Sequence, residues 1–179
     1  SDTSTNDALV LAATGKAGKE LSEDDDIETF YQALEDVLIS LATAIIRDGE
    51  GATKFVKVSV SEGEHYQDCK TIAYDIAHSP LVKTALFACD PNWGRILMAL
   101  GKSATASLDM AKVDIRINDA SLIESGQPAA SYTEALGQSV FSEEEITIDI
   151  RLHTGQNAYH VWTSDLSHDY VSINADYRS

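Results

Sequence analysis

Glu50 is the side chain whose setting most invites chemistry. It stands between Gly49 and Gly51 in the run DGEGATK, residues 48 to 54. Glycines on either side allow a backbone to approach a bound molecule closely, so a carboxylate placed there suits pairing with a cationic group on a ligand. The run superficially resembles a phosphate loop, but that loop needs G-x-x-x-x-G-K-[ST] between a strand and a following helix. The order around Glu50 reads helix, turn, strand, which argues against a nucleotide site and leaves the glycines as helix stop and turn.

Other chemistry-bearing residues are less organised. His65, His78, His153, His160 and His168 form neither H-E-x-x-H nor a ligand set with cysteine, so no structural zinc or other metal site is expected and these side chains read as surface or turn residues. No serine lies in G-x-S-x-G, and the chain shows no convincing nucleophile of its own. Asp90-Pro91-Asn92-Trp93-Gly94-Arg95 packs a capping acid, a helix-start proline, an aromatic and a guanidinium into one turn, which reads first as a structural helix start. Cys69 and Cys89 are too few for a disulfide scaffold and read as buried free thiols in a reducing compartment.

The elements that must position these groups follow from periodicity. Ala8 to Ala13 reads as a short buried strand, ended by Thr14-Gly15 and Ala17-Gly18. Ser22 and Asp25 resemble a capping box for a long amphipathic helix bearing Ile27, Phe30, Tyr31, Leu34, Val37, Leu38, Leu41 and Ile45, with Asp48-Gly49 as its stop. Val56, Val58 and Val60 then alternate on a strand, and Cys69, Ile72, Ala73 and Ile76 line a helix closed by Pro80. Leu81 to Ala88 is a further strand candidate, and Asp90-Pro91 opens a helix through Leu100, ended by Gly101. Val113, Ile115 and Ile117 alternate, as do Ile146, Ile148, Ile150 and Leu152, before a strand at Tyr159 to Trp162. Tyr170, Val171, Asn174 and Tyr177 have helical spacing, with Asp165 or Ser167 as cap; a strand over Tyr170 to Ile173 is the alternative. Strands alternating with helices, then a hairpin-rich half, specify α/β or α+β layers with helices packed on sheets. Two portions are expected, an α/β part over residues 1–101 and a β-rich part over 102–179.

Composition sets the outer limits. The 179 residues, 44% of them hydrophobic, are enough for a real core. Thirteen basic against 29 acidic side chains give a net charge of −16, which disfavours nucleic acid and anionic membrane as partners. The apolar stretch from Val37 to Ile46, interrupted by Ser40 and Thr43, is too short for a membrane span. The start SDTSTND has no signal-peptide pattern, and it is not a methionine start, so an upstream segment is expected to have been removed.

Five segments in order carry a resemblance: DTSTND (2–7), DGEGATK (48–54), SPLVKTA (79–85), DPNWGRI (90–96) and DYVSINADYRS (169–179). Together they resemble the β chain of the bifunctional ornithine acetyltransferase family, also called glutamate N-acetyltransferase or N-acetylglutamate synthase. The resemblance is dense up to about Gly101 and at the end, and loose between. It implies a fold with helices outside two stacked sheets, similar to the aminopeptidase relatives, and an enzyme of arginine biosynthesis in the cytoplasm. It further implies autoprocessing before a threonine that becomes the nucleophile. That threonine does not lie in this chain, which looks like a β chain without its first segment and without the α chain that would complete an αβ hetero-oligomer.

The implied reaction moves an acetyl group from N-acetylornithine to glutamate through an acetyl-threonine ester. No cofactor is required for that transfer, although acetyl-CoA is a further acetyl donor for bifunctional members. Carried over motif by motif, the substrate-binding residues are Glu50, Asn174 and Ser179, with Ser179 where threonine is more usual, and Thr5 and Asn6 lining the site. No catalytic residue is assigned within the chain. Two other readings stay open: an aminopeptidase or amidase of the same architecture that passes the acyl group to water, and a catalytically empty binding module.

Overall fold

The computed structural model describes residues 8–103, 105 and 107–176. The chain separates into two compact units, Ser1–Ala44 and Ile45–Ser179. In the first, residues 8–13 are exposed and belong to no strand. This corrects the buried strand expected at Ala8 to Ala13: the apolar run has the composition of a strand but no partner for its backbone among the described residues. α1 (Asp24–Arg47) begins on Asp24, Asp25 and Asp26, acids that suit the positive end of a helix dipole. Most of its large apolar side chains, Phe30, Tyr31, Val37, Leu38, Ile39, Leu41 and Ile45, are exposed, while Ile27, Leu34 and Ile46 are half-buried. By length and composition α1 could cross a membrane. The expectation of a stretch too short for a span is corrected on length, since the helix continues on both sides of the apolar run to 24 residues.

The second unit is built on one six-stranded sheet in the order β4-β3-β2-β5-β1-β6; the α/β class expected from the sequence holds, with one sheet among the described residues where the resemblance implies two stacked sheets. β1 (Phe55–Gly63) buries Val56, Val58 and Val60 on one face, as period two requires. It runs parallel to β5 (Glu145–Arg151) and antiparallel to β6 (Asn157–Ser164). β2 (Asp114–Ile117) pairs antiparallel with both β5 and β3 (Ala120–Glu124), and β4 (Gln127–Pro128) completes the edge. α2 (Tyr66–Ala77) lays Cys69, Ile72, Ala73 and Ile76 against β1 and β6, and α4 (Trp93–Lys102) adds Ile96, Ala99 and Leu100 to the same core.

Three further expectations are corrected here. Leu81 to Ala88 is not a strand but α3 (Pro80–Phe87), and Pro80 opens this helix instead of closing α2. The Ser79 side chain accepts a hydrogen bond from the Val82 N–H, and proline in the first turn loses no internal bond, so local capping decides what an eight-residue apolar run alone leaves ambiguous. α4 starts at Trp93 with Asn92 in the cap position, because the Asp90 carboxylate is engaged by the Asn92 side-chain amide at 3.2 Å; Gly101 lies inside the helix. Cys89 is half-buried with a left-handed φ of 51°, whereas Cys69 is buried. Three elements go beyond the sequence expectation: β3 and β4, which pair with each other, and α5 (Glu134–Phe141). The cap of α5 was legible: Thr133 accepts from the Leu136 N–H at 3.2 Å, directly before Glu134.

Lys83 gives the fold a pH signature. Buried at 8% exposure, its ammonium donates to Thr163 Oγ1 at 2.8 Å and to the Ser164 carbonyl. Burial pushes its pKa down from 10.5 to about 8, against the opposing pull of the Asp165 carboxylate. Between those values the unfolded chain holds a proton that the folded chain has released, so stability contributed by this group rises with pH across that window. Urea unfolding at about pH 7.5 and about pH 10 is expected to show that rise in the parent and to lose it in Lys83→Met. An equal pH dependence in both would show that Lys83 keeps an ordinary pKa.

Candidate functional site

The turn bearing Glu50 is closed by a hydrogen bond from the Ala52 N–H to the Gly49 carbonyl at 3.0 Å. Gly51 takes a φ of +66° in the third position, where a type II turn requires a residue that tolerates the left-handed region. The pressure for glycine is doubled by packing. A Cβ on Gly51 would stand 2.6 Å from the Tyr170 nitrogen and 2.7 Å from Ser167 Oγ.

The tail meets this turn as a helix, α6 (His168–Asp176). Ser167 is its cap: Oγ accepts from the Tyr170 N–H at 3.1 Å, which settles the choice between Asp165 and Ser167. Tyr170, Val171 and Ile173 are exposed at 36%, 59% and 42%, so burial of these apolar side chains does not fix the tail. Polar contacts hold it instead. Asn174 Nδ2 donates both to its own helix at the Tyr170 carbonyl and to Glu50 Oε2, each at 2.9 Å.

Beneath the turn lies Asp165, 4% exposed. Its Oδ1 accepts the Thr53 and Lys54 N–H groups at 2.8 and 2.9 Å, and Oδ2 accepts the Thr53 hydroxyl at 2.6 Å. One buried carboxylate thus ties the exit of the Glu50 turn to the junction between β6 and α6. Lys83 is fastened to the same junction from the other side, its carbonyl accepting the Leu166 N–H at 3.2 Å.

Glu50 and Asn174, assigned from motifs at opposite ends of the chain, are therefore brought into direct contact, and both are exposed toward solvent. Thr5, Asn6 and Ser179 lie outside the described residues. A cavity of about 170 Å³ opens alongside, lined by residues that include Arg47, Thr53, Lys54 and Glu145, but Glu50 and Asn174 are not in its wall. Arg47 there is committed to Glu145 at 2.8 Å and stacks on Phe55. No group of three or more His, Cys, Asp or Glu placed to hold a metal ion occurs among the described residues. The arrangement can present a carboxylate and a side-chain amide together to a polar, cationic ligand. Asp165 carries no motif signal in the sequence; the one clue was its place as a possible helix cap.

Comparison with known proteins fits this picture. The model of the ArgJ family matches residues 1–179. The arginine biosynthesis bifunctional protein ArgJ of Pseudomonas fluorescens is 50% identical over 99% of this chain, and that of Neisseria meningitidis serogroup A is 53% identical over 99%. In each case the match covers 45% of the relative, so the chain spans about half the length of the curated relatives it matches. The crystal structure of arginine biosynthesis bifunctional protein ArgJ from Bacillus halodurans superposes with a TM-score of 0.89 at 37% identity, covering 98% of this chain and 83% of that one.

Proposed function

The chain belongs to the ArgJ family over all 179 residues, and from that premise we propose that it is the substrate-binding part of an enzyme that transfers an acetyl group from N-acetylornithine to glutamate in arginine biosynthesis. Its family and the resemblance of its motifs support this reading. The observation that carries it is the 2.9 Å bond between Asn174 and Glu50, 124 residues apart: two motif residues with no local reason to meet form one polar surface.

The chemistry follows from the groups involved. Acetylation occupies the α-nitrogen of N-acetylornithine and leaves its side-chain amine cationic, a match for the Glu50 carboxylate. Asn174 both donates and accepts, so it can hold Glu50 in place and face a polar group of the substrate. A threonine hydroxyl from polypeptide outside this chain attacks the acetyl carbonyl. Its proton passes to a base, the C–N bond breaks, and ornithine leaves with a protonated amine; the glutamate amine then takes the acetyl group from the threonine ester. The tetrahedral oxyanion needs donors that the α chain supplies in this reading.

The resemblance of their motifs further assigns Ser179 to substrate binding through its hydroxyl, and Thr5 and Asn6 to lining the site. The transfer needs no cofactor, and acetyl-CoA serves as a second acetyl donor. The working enzyme is an αβ hetero-oligomer in the cytoplasm, formed with an α chain and a β segment bearing a threonine released by autoprocessing.

Incubation of the pure 179-residue chain with N-acetylornithine and glutamate is expected to release no ornithine, whereas co-expression with the remaining family segments restores glutamate-dependent release. Turnover by the chain alone would refute the placement of the nucleophile. Release that proceeds equally without glutamate would show hydrolysis in place of transfer.

A further inference from the structure

We propose that Asp165 is a positioning residue for the substrate site, setting the Glu50 carboxylate against Asn174 through the Thr53–Lys54 backbone. The inference rests on the reading above, in which Glu50 and Asn174 bind the substrate amine, and it gives a role to a residue outside the motifs that carry that reading.

The geometry is specific. Asp165 is buried and accepts three hydrogen bonds, all from the two residues that link the Glu50 turn to β1. It lies between β6, which ends at Ser164, and the cap Ser167, which starts α6. One carboxylate therefore fixes both halves of the site: one Thr53 contact is the main chain two residues after Gly51, and Asp165 itself sits nine residues before Asn174. Neither Glu50 nor Asn174 is buried, so neither is held by packing, and their mutual alignment depends on how their two segments are joined. The Gly51 turn approaches the first turn of α6 too closely for a Cβ. At that spacing a small shift of the turn relative to α6 separates Glu50 from Asn174, because a hydrogen bond tolerates only a few tenths of an ångström.

A structural role would lower stability and the amount of active enzyme; a positioning role acts through Glu50. The two separate in a double-mutant cycle on the complete αβ enzyme, read as kcat/KM for N-acetylornithine. Asp165→Ala in the parent is expected to lower kcat/KM on the order of tenfold or more, mainly through a raised KM, since charged-acceptor bonds are lost. On a Glu50→Gln background the same change should cost no more than about twofold, because the interaction it positions has already been weakened. Thr53→Val, which removes only the hydroxyl bond to Oδ2, carries the same cycle with a smaller effect and covers the case in which Asp165→Ala does not fold. Equal fold-losses on both backgrounds, with Glu50→Gln itself damaging, would overturn the positioning role and leave the substrate reading intact. A Glu50→Gln enzyme with parental kcat/KM would instead remove the substrate reading, and the positioning role with it.

Discussion

Glu50→Gln in the complete enzyme is expected to lower kcat/KM for N-acetylornithine by roughly 5- to 12-fold, because exchanging a charge-assisted contact of about 1.5 to 3 kcal/mol for a neutral one of about 0.5 to 1.5 kcal/mol loses about 1 to 1.5 kcal/mol. The fold should be untouched. Glu50 is exposed, and among the described residues it accepts a hydrogen bond from the Asn174 amide at 2.9 Å, which glutamine can still satisfy through its own carbonyl oxygen. Removing charge while keeping shape and the Asn174 bond isolates the electrostatic pairing with the substrate cation. Steady-state kinetics and urea unfolding on the same preparations check both halves. An unchanged kcat/KM would take Glu50 out of the site.

Gly51→Ala should have the largest effect on the fold around the site, about 2 to 4 kcal/mol of destabilisation from combined backbone strain and steric overlap. The added methyl would meet the Tyr170 nitrogen at 2.6 Å, Ser167 Oγ at 2.7 Å and Asp169 Cβ at 3.0 Å, at a φ of +66° that side chains rarely adopt. Backbone atoms cannot step aside as a flexible side chain can. The start of α6 must therefore retreat, and the Asn174–Glu50 bond is lost with it. Urea midpoints and amide chemical shifts of residues 167–174 report the two consequences. A variant that unfolds at the parental midpoint with unshifted α6 amides would show that the turn and helix are not packed as described.

How much of this the sequence carried depends on which physical signal was involved. β1 was legible because Val56, Val58 and Val60 alternate without interruption and are buried as alternation demands. α3 was not, because Leu81 to Ala88 has no periodicity to separate a buried helix from a buried strand; the decision lay in Ser79-Pro80, a two-residue cap signal read as a stop. At the site, Glu50 stood out through its glycines, and Asn174 through the motif it belongs to. Asp165 did not, because its importance comes from a register in which β6 lies beside β1, pairing Ser164 with Phe55. That long-range pairing brings Asp165 under the Glu50 turn, and no local pattern encodes it.

The position of β1 inside the sheet bears on how the chain must be made. Both strands that flank it, β5 and β6, lie between Glu145 and Ser164, near the far end of the sequence. During synthesis β1 therefore leaves the ribosome with two open edges and no partner for about a hundred further residues, roughly 5 to 20 s at ordinary elongation rates. Its two edges stay unpaired throughout that interval, the circumstance in which strands associate wrongly. The −16 charge, a burden for binding anions, is then a protection, since like-charged nascent chains repel one another while the sheet waits for its last strands. A polypeptide cut short before Asp165 carries neither Asp165 nor Asn174, so the surface shared by Glu50 and Asn174 arises only after β6 and the start of α6 have been made.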